Sequence, residues 1–184
     1  MTFKLYPKKA EELGISTRWW SANDYQAVLD AMAKTGAKRC LEFGPGSSTL
    51  ALIEGGATSV DTCEDNPDWA GVYEARIGQH FPEVVRLHRY EWPEGKGLSI
   101  PALKKQRFDL TLIDGPHGTE RRPDVVRYAL ARSTWVLVPT EEFKTRAWMR
   151  PLIQEIADKA GRPVEFRETG PLSGAFGLIG PAAA

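Results

Sequence analysis

Apolar and polar positions along this chain follow two rhythms, and the changes between them divide it into short segments. Over 22–35, Tyr25, Val28, Leu29 and Met32 recur at helical spacing, Ser21 and Asp24 have the form of a capping pair, and Gly36 stops the run. Lys38 to Phe43 is an apolar-centred run ending in Gly44-Pro45-Gly46, and Ser47 to Ile53 starts a second helical pattern halted by Gly55-Gly56. This reads as strand, tight turn, helix. The unit recurs as a strand over Ser59–Glu64, a helix over Trp69–His80 and a strand over Val84–His88. Residues 91–106, rich in Pro, Gly and Lys, read as a loop with one helical turn at 102–105. Phe108 to Ile113 is almost wholly apolar, as in a strand buried on both faces, and a turn over 114–118 follows it. A helix over 124–131, a strand over 135–138, a helix over 142–160 and strands over 164–167 and 175–179 close the chain.

Strands alternating with helices predict an α/β protein with a doubly wound, mostly parallel sheet and helices on both faces. Ligands of such sheets bind beyond the carboxyl ends of the strands, where strand order reverses. A length of 184 residues suits one domain, with 1–37 as a helical cap, 38–180 as the core and 181–184 as a tail. Lys+Arg and Asp+Glu are balanced at 24 each, so net charge supplies no long-range pull toward nucleic acid or an anionic membrane, and neither is expected as a partner. Cys40 and Cys63 are too few for a disulfide framework and lack the companions of a zinc site; both read as buried thiols. The first residues carry lysines with no apolar stretch behind them, and the cytoplasm is the expected compartment.

Chemistry concentrates at three strand ends. In Leu41-Glu42-Phe43-Gly44-Pro45-Gly46-Ser47-Ser48-Thr49, two glycines let a ligand approach the following helix N-terminus, and Glu42 can accept hydrogen bonds or hold a cationic group there. Thr49 stands where a dinucleotide fingerprint has its third glycine. Glu64, twenty residues after Gly44, has the spacing of an acid that receives ribose hydroxyls; Glu64, Asp65 and Asp68 equally suit the start of the next helix. Asp114 emerges from the most apolar strand next to His117, whose imidazole has the pKa of a general base near neutrality and the position of a helix cap.

Together, Glu42-x-Gly44-x-Gly46, the acid at Glu64 and Ile113-Asp114-Gly115-x-His117 resemble the motifs of class I S-adenosylmethionine-dependent methyltransferases, in their small-molecule branch. The resemblance spans 38–180 and implies a Rossmann-like seven-stranded sheet with the last strand antiparallel, S-adenosylmethionine as cofactor and a small-molecule acceptor methylated on O or N. It places Glu42, Gly44, Pro45, Gly46, Ser47 and Ser48 around the donor's amino-acid end, Glu64 with its neighbour Asp65 at the ribose, and Asp114 and His117 at the transfer site. Metal-dependent relatives carry an Asp-Asn or Asp-Asp pair after the fifth strand. This chain has Val138-Pro139-Thr140-Glu141-Glu142, whose acids also fit a first helical turn, so no metal is expected.

Trp19, Trp20 and Trp92 suit either an aromatic lid or staples to the core; Arg121 and Arg122 suit either an anion clamp or a solvated pair. His80 and His88 have no partner in sequence. A nicotinamide-dependent oxidoreductase and a non-catalytic adenosine-binding module remain the alternatives, and a homodimer remains open.

Overall fold

The computed structural model describes residues 3–17, 20–92, 98–115, 121–140, 149–170 and 174–182. Trp19, His117, Glu141 and Glu142 therefore lie outside the described residues.

Helix α1 (Lys8–Glu12) precedes α2 (Ala22–Thr35), which carries the full reciprocal capping box: Ser21 Oγ accepts the Asp24 N–H, and Asp24 answers to the Ser21 N–H. Such a box contributes about 1 kcal/mol. Gly36 ends α2 in the left-handed region at φ 63°, its N–H on the Met32 carbonyl. Then follow β1 (Arg39–Phe43), α3 (Ser47–Glu54), β2 (Ser59–Glu64), α4 (Pro67–Tyr73), β3 (Val85–Arg89), β4 (Phe108–Ile113), α5 (Arg122–Leu130), β5 (Ser133–Pro139), α6 (Met149–Lys159), β6 (Val164–Gly170) and β7 (Gly174–Ile179).

The seven strands form one sheet in the order β3-β2-β1-β4-β5-β7-β6. Pairing is parallel from β3 through β5, and β7 runs antiparallel to both β5 and β6. Strand order reverses at β1, which lies between β2 and β4, so the crevice that this topology offers a ligand opens at the tips of those strands. The doubly wound sheet with an antiparallel last strand is as expected.

The strands are apolar on both faces because helices cover both. Cys40, Leu110 and Leu112 pack with α2, α3 and the N-terminal segment, while Leu41, Phe43 and Ile113 pack with α5 and α6. Glu54 ties the N-terminal segment down by accepting the N–H groups of Lys4 and Leu5 and the Tyr25 hydroxyl. At the far edge the Arg162 guanidinium, 8 % exposed, donates to the carbonyls of Leu130, Ser133, Thr134 and Gly180, binding β5 to the end of β7.

Two local expectations need correction. The helix expected over 69–80 starts at Pro67, because the Asn66 side chain accepts the N–H groups of Asp68 and Trp69; Asn66 is the cap, rather than Asp65 or Asp68. From Glu74 to Gly78 the same helix loosens into a π-helical turn. The last helix is described from Met149, and the earlier part of its expected span falls outside the described residues. His88 does have a partner: its Nε2 lies 2.7 Å from Asp61 Oδ1 on the neighbouring strand.

Candidate active site at the strand tips

Gly44 leaves β1 at φ +83°, and a Cβ there would meet the Gly115 backbone nitrogen at 2.6 Å. The tips of β1 and β4 thus cross backbone to backbone, with the Asp114 N–H donating to the Phe43 carbonyl at 2.8 Å. The glycine at 44 is a requirement of the fold. Gly46 differs: a Cβ there would meet nothing nearer than the Tyr73 hydroxyl at 3.8 Å, so protein packing does not demand a glycine.

Glu42 is wholly buried on the β1 tip. Its Oε2 accepts the Thr49 hydroxyl at 2.6 Å, and Thr49 Oγ1 in turn accepts the Gly46 N–H at 3.0 Å. Threonine in the third small position therefore clamps the loop to the strand acid. Among the described residues Glu42 Oε1 accepts no hydrogen bond of good geometry, the Ser48 and Thr62 hydroxyls lying near the carboxylate without closing one. Burial, opposed by the hydroxyls of Ser48, Thr49 and Thr62 and reinforced by Asp114, pushes the Glu42 carboxyl up to about 7. Pro45, Ser47 and Ser48 are buried beside it, and Ser47 Oγ donates to the Ser16 carbonyl.

Glu64 is half-buried at the β2 tip, its Oε1 accepting the Asn66 N–H at 2.9 Å, and burial followed by the charge of Asp65 raises its pKa. Asp65 Oδ2 accepts the Trp92 indole at 2.8 Å and faces Arg121 at 3.4 Å, with the Arg121 guanidinium over the Trp92 ring. At the β4 tip, Asp114 Oδ2 accepts the Trp20 indole N–H at 2.9 Å, and Arg122, 2 % exposed, donates to the Asp114 carbonyl.

The aromatic and arginine expectations therefore separate. Trp20 packs against Phe176 in the core while holding Asp114; Trp92 ties down Asp65. Arg122 supports the β4 tip from inside, and Arg121 is exposed; they are neither a solvated pair nor a clamp made of two side chains. Sequence reasoning missed Tyr73, whose hydroxyl burial pushes up to about 12 with Asp114, Glu64 and Glu42 adding to the rise in that order. The charges of acids from three separate strand tips thus act on one phenol. Tyr73 stacks on Trp69, which is 51 % exposed. No residue pattern marks Tyr73; only the placement of α4 over the glycine loop does. Among the described residues no group of three His, Cys, Asp or Glu side chains has the arrangement of a metal site.

An O-methyltransferase from Bacillus cereus in complex with SAH superposes with a TM-score of 0.66 at 19% identity, covering 94% of this chain and 86% of its own. The chain has the class I methyltransferase fold. Cofactor-bound Rv0187 from MTB gives a TM-score of 0.71 at 21% identity, with 96% and 88% of the two chains covered. The O-methyltransferase TomG from Streptomyces achromogenes, in complex with SAM, gives 0.61 at 17% identity over 96% and 89%. No protein-family model and no curated protein sequence matches the chain. The methyltransferase fold fixes where a ligand crevice lies; the chemistry has to come from the side chains in it.

Proposed function

We propose that this chain is an S-adenosylmethionine-dependent methyltransferase that modifies a small-molecule acceptor on oxygen or nitrogen. The observation that carries the reading is the buried Glu42 Oε1, which accepts no hydrogen bond of good geometry, beside a loop whose Gly46 the protein's own packing does not require. A buried carboxylate oxygen without a well-placed donor is costly unless a ligand supplies one, and an ammonium group does so. The charge of the crevice agrees. Glu42, Glu64, Asp65 and Asp114 favour a donor bearing sulfonium and ammonium charges, and they disfavour the pyrophosphate of a nicotinamide dinucleotide.

In this reading Glu42 takes the donor's ammonium group, the Gly44–Ser48 backbone borders its amino-acid end, and Glu64 takes the ribose hydroxyls, with Asp65 held aside by Trp92. S-adenosylmethionine, when bound, supplies an electrophilic methyl group. Asp114, fixed by Trp20, orients the acceptor, and the His117 imidazole removes the acceptor proton near neutral pH. No helix among the described residues is long and apolar enough to cross a membrane. Free, buried Cys40 and Cys63 agree with a cytoplasmic enzyme working as one domain.

Calorimetric titration with S-adenosylmethionine, S-adenosylhomocysteine and NADH tests the reading. Micromolar binding of the first two, weakened about 100-fold in Glu64→Ala, supports it. Absent binding, or preference for NADH, overturns it. Donor binding with no turnover across an acceptor screen, unchanged by His117→Ala, makes the chain a binding module.

A further inference from the structure

An open surface depression of about 500 Å3 lies at the opposite end of the sheet, where β1 begins and the segment 101–107 leads into β4. That volume suits a small molecule. It lies about 16 Å from the glycine loop, the length of β1 at 3.3 Å per residue, and so belongs to no part of the crevice described above.

Its polar lining is Arg39, Lys104, Lys105, Gln106 and Arg107: four cations, no acid. Among the described residues no carboxylate lies within ion-pair distance of any of the four. Asp109, just inside β4, is turned to the backbone, its Oδ2 accepting the N–H groups of Lys38 and Arg39 at 2.8 Å each. Two of the cations are pre-set by one residue. Arg39 Nη2 donates to Gln106 Oε1 at 2.8 Å, and Arg107 Nη1 donates to the Gln106 carbonyl at 3.1 Å. All four are exposed, so water screens much of their mutual repulsion, and a small polyanion seated among them gains charge pairing with each. Guanidinium forks with flanking ammonium groups match phosphoryl oxygens in geometry and charge.

We infer that this depression is a binding site for a small anion carrying two or more phosphoryl groups, separate from the crevice at the strand tips. The inference does not depend on the methyltransferase reading. Inorganic oligophosphate and a nucleoside polyphosphate share the chemistry.

The test is calorimetric titration of the full chain with tripolyphosphate and with ATP at low ionic strength, repeated at 0.5 M salt. Expected is one saturable site per chain, weakened by salt, weakened about tenfold in Arg107→Ala and further in the double variant Lys104→Ala/Lys105→Ala. Lys159→Gln, which removes an exposed cation at the end of α6, leaves it unchanged, and circular dichroism confirms that all variants fold. Comparable binding of both ligands assigns recognition to the phosphoryl chain, and binding of ATP alone assigns a nucleoside polyphosphate; either supports the site. No saturable binding, equal binding by all variants, or binding of a twenty-residue oligothymidylate without tripolyphosphate overturns it.

Discussion

The two ends of this sheet carry opposite charge. At the carboxyl ends of the strands stand Glu42, Glu64, Asp65 and Asp114; at the amino ends Arg39, Lys104, Lys105 and Arg107 line an open depression. The two ends are also held differently. Every acid at the tips has a hydrogen-bond donor from another segment or an adjacent turn: Thr49 for Glu42, Asn66 for Glu64, Trp92 for Asp65 and Trp20 for Asp114. The cations at the other end rest on Gln106 alone and are exposed. A balanced composition therefore conceals a polar molecule, whose buried, pre-oriented end suits a positively charged ligand and whose open end suits an anion.

The most severe way to break this contrast is Gly44→Ala. Its Cβ would demand a left-handed alanine and collide with the Gly115 backbone, separating the tips that bring Glu42 and Asp114 together. We expect a loss of about 2–5 kcal/mol in urea unfolding, and no donor binding. Gly46→Ala sharpens the comparison, since its Cβ has room: stability stays within about 0.5 kcal/mol of wild type while S-adenosylhomocysteine binding falls about tenfold or more.

Glu42 gives the acid end a pH signature. Its carboxyl, pushed up from 4.5 to about 7, holds its proton in the folded state over a range where the unfolded chain has lost it. Folding stability therefore falls as pH rises from about 4.5 through 7, and Glu42→Gln is stabilised relative to wild type at pH 8 more than at pH 5. A cationic ligand needs the ionised form, so S-adenosylhomocysteine affinity rises with pH up to about 7 and then levels, a step that Glu42→Gln removes. A flat wild-type profile would detach Glu42 from the ligand's charge. The smallest effect is at Arg121: its ion pair with Asp65 is 3.4 Å long and solvent-exposed on the arginine side, so Arg121→Ala changes stability by less than about 0.5 kcal/mol in thermal unfolding.

Much of this was legible in the chain. The strands, the turn at Gly44-Pro45-Gly46, the acids at 42 and 114 and the capping box at Ser21 follow from residues within a few positions of one another, and Glu64 from its spacing of twenty residues after Gly44. The start of α4 was misread because the apolar count began at Trp69, whereas Asn66-Pro67 carries the cap. Thr49 was noted only as a departure from a glycine pattern. Its bridge between Gly46 and Glu42 needs the loop folded over the strand end.

What the sequence determined by itself is the succession of elements and the acids at their ends, because periodicity, capping and turn chemistry act through near neighbours. What only the tertiary structure decided is which distant groups meet. Trp20 reaches Asp114 across 94 positions, Arg121 reaches Asp65 across 56, and Arg39 reaches Gln106 across 67. Strand order and helix placement set those meetings, and neither is written in the local spacing of residues.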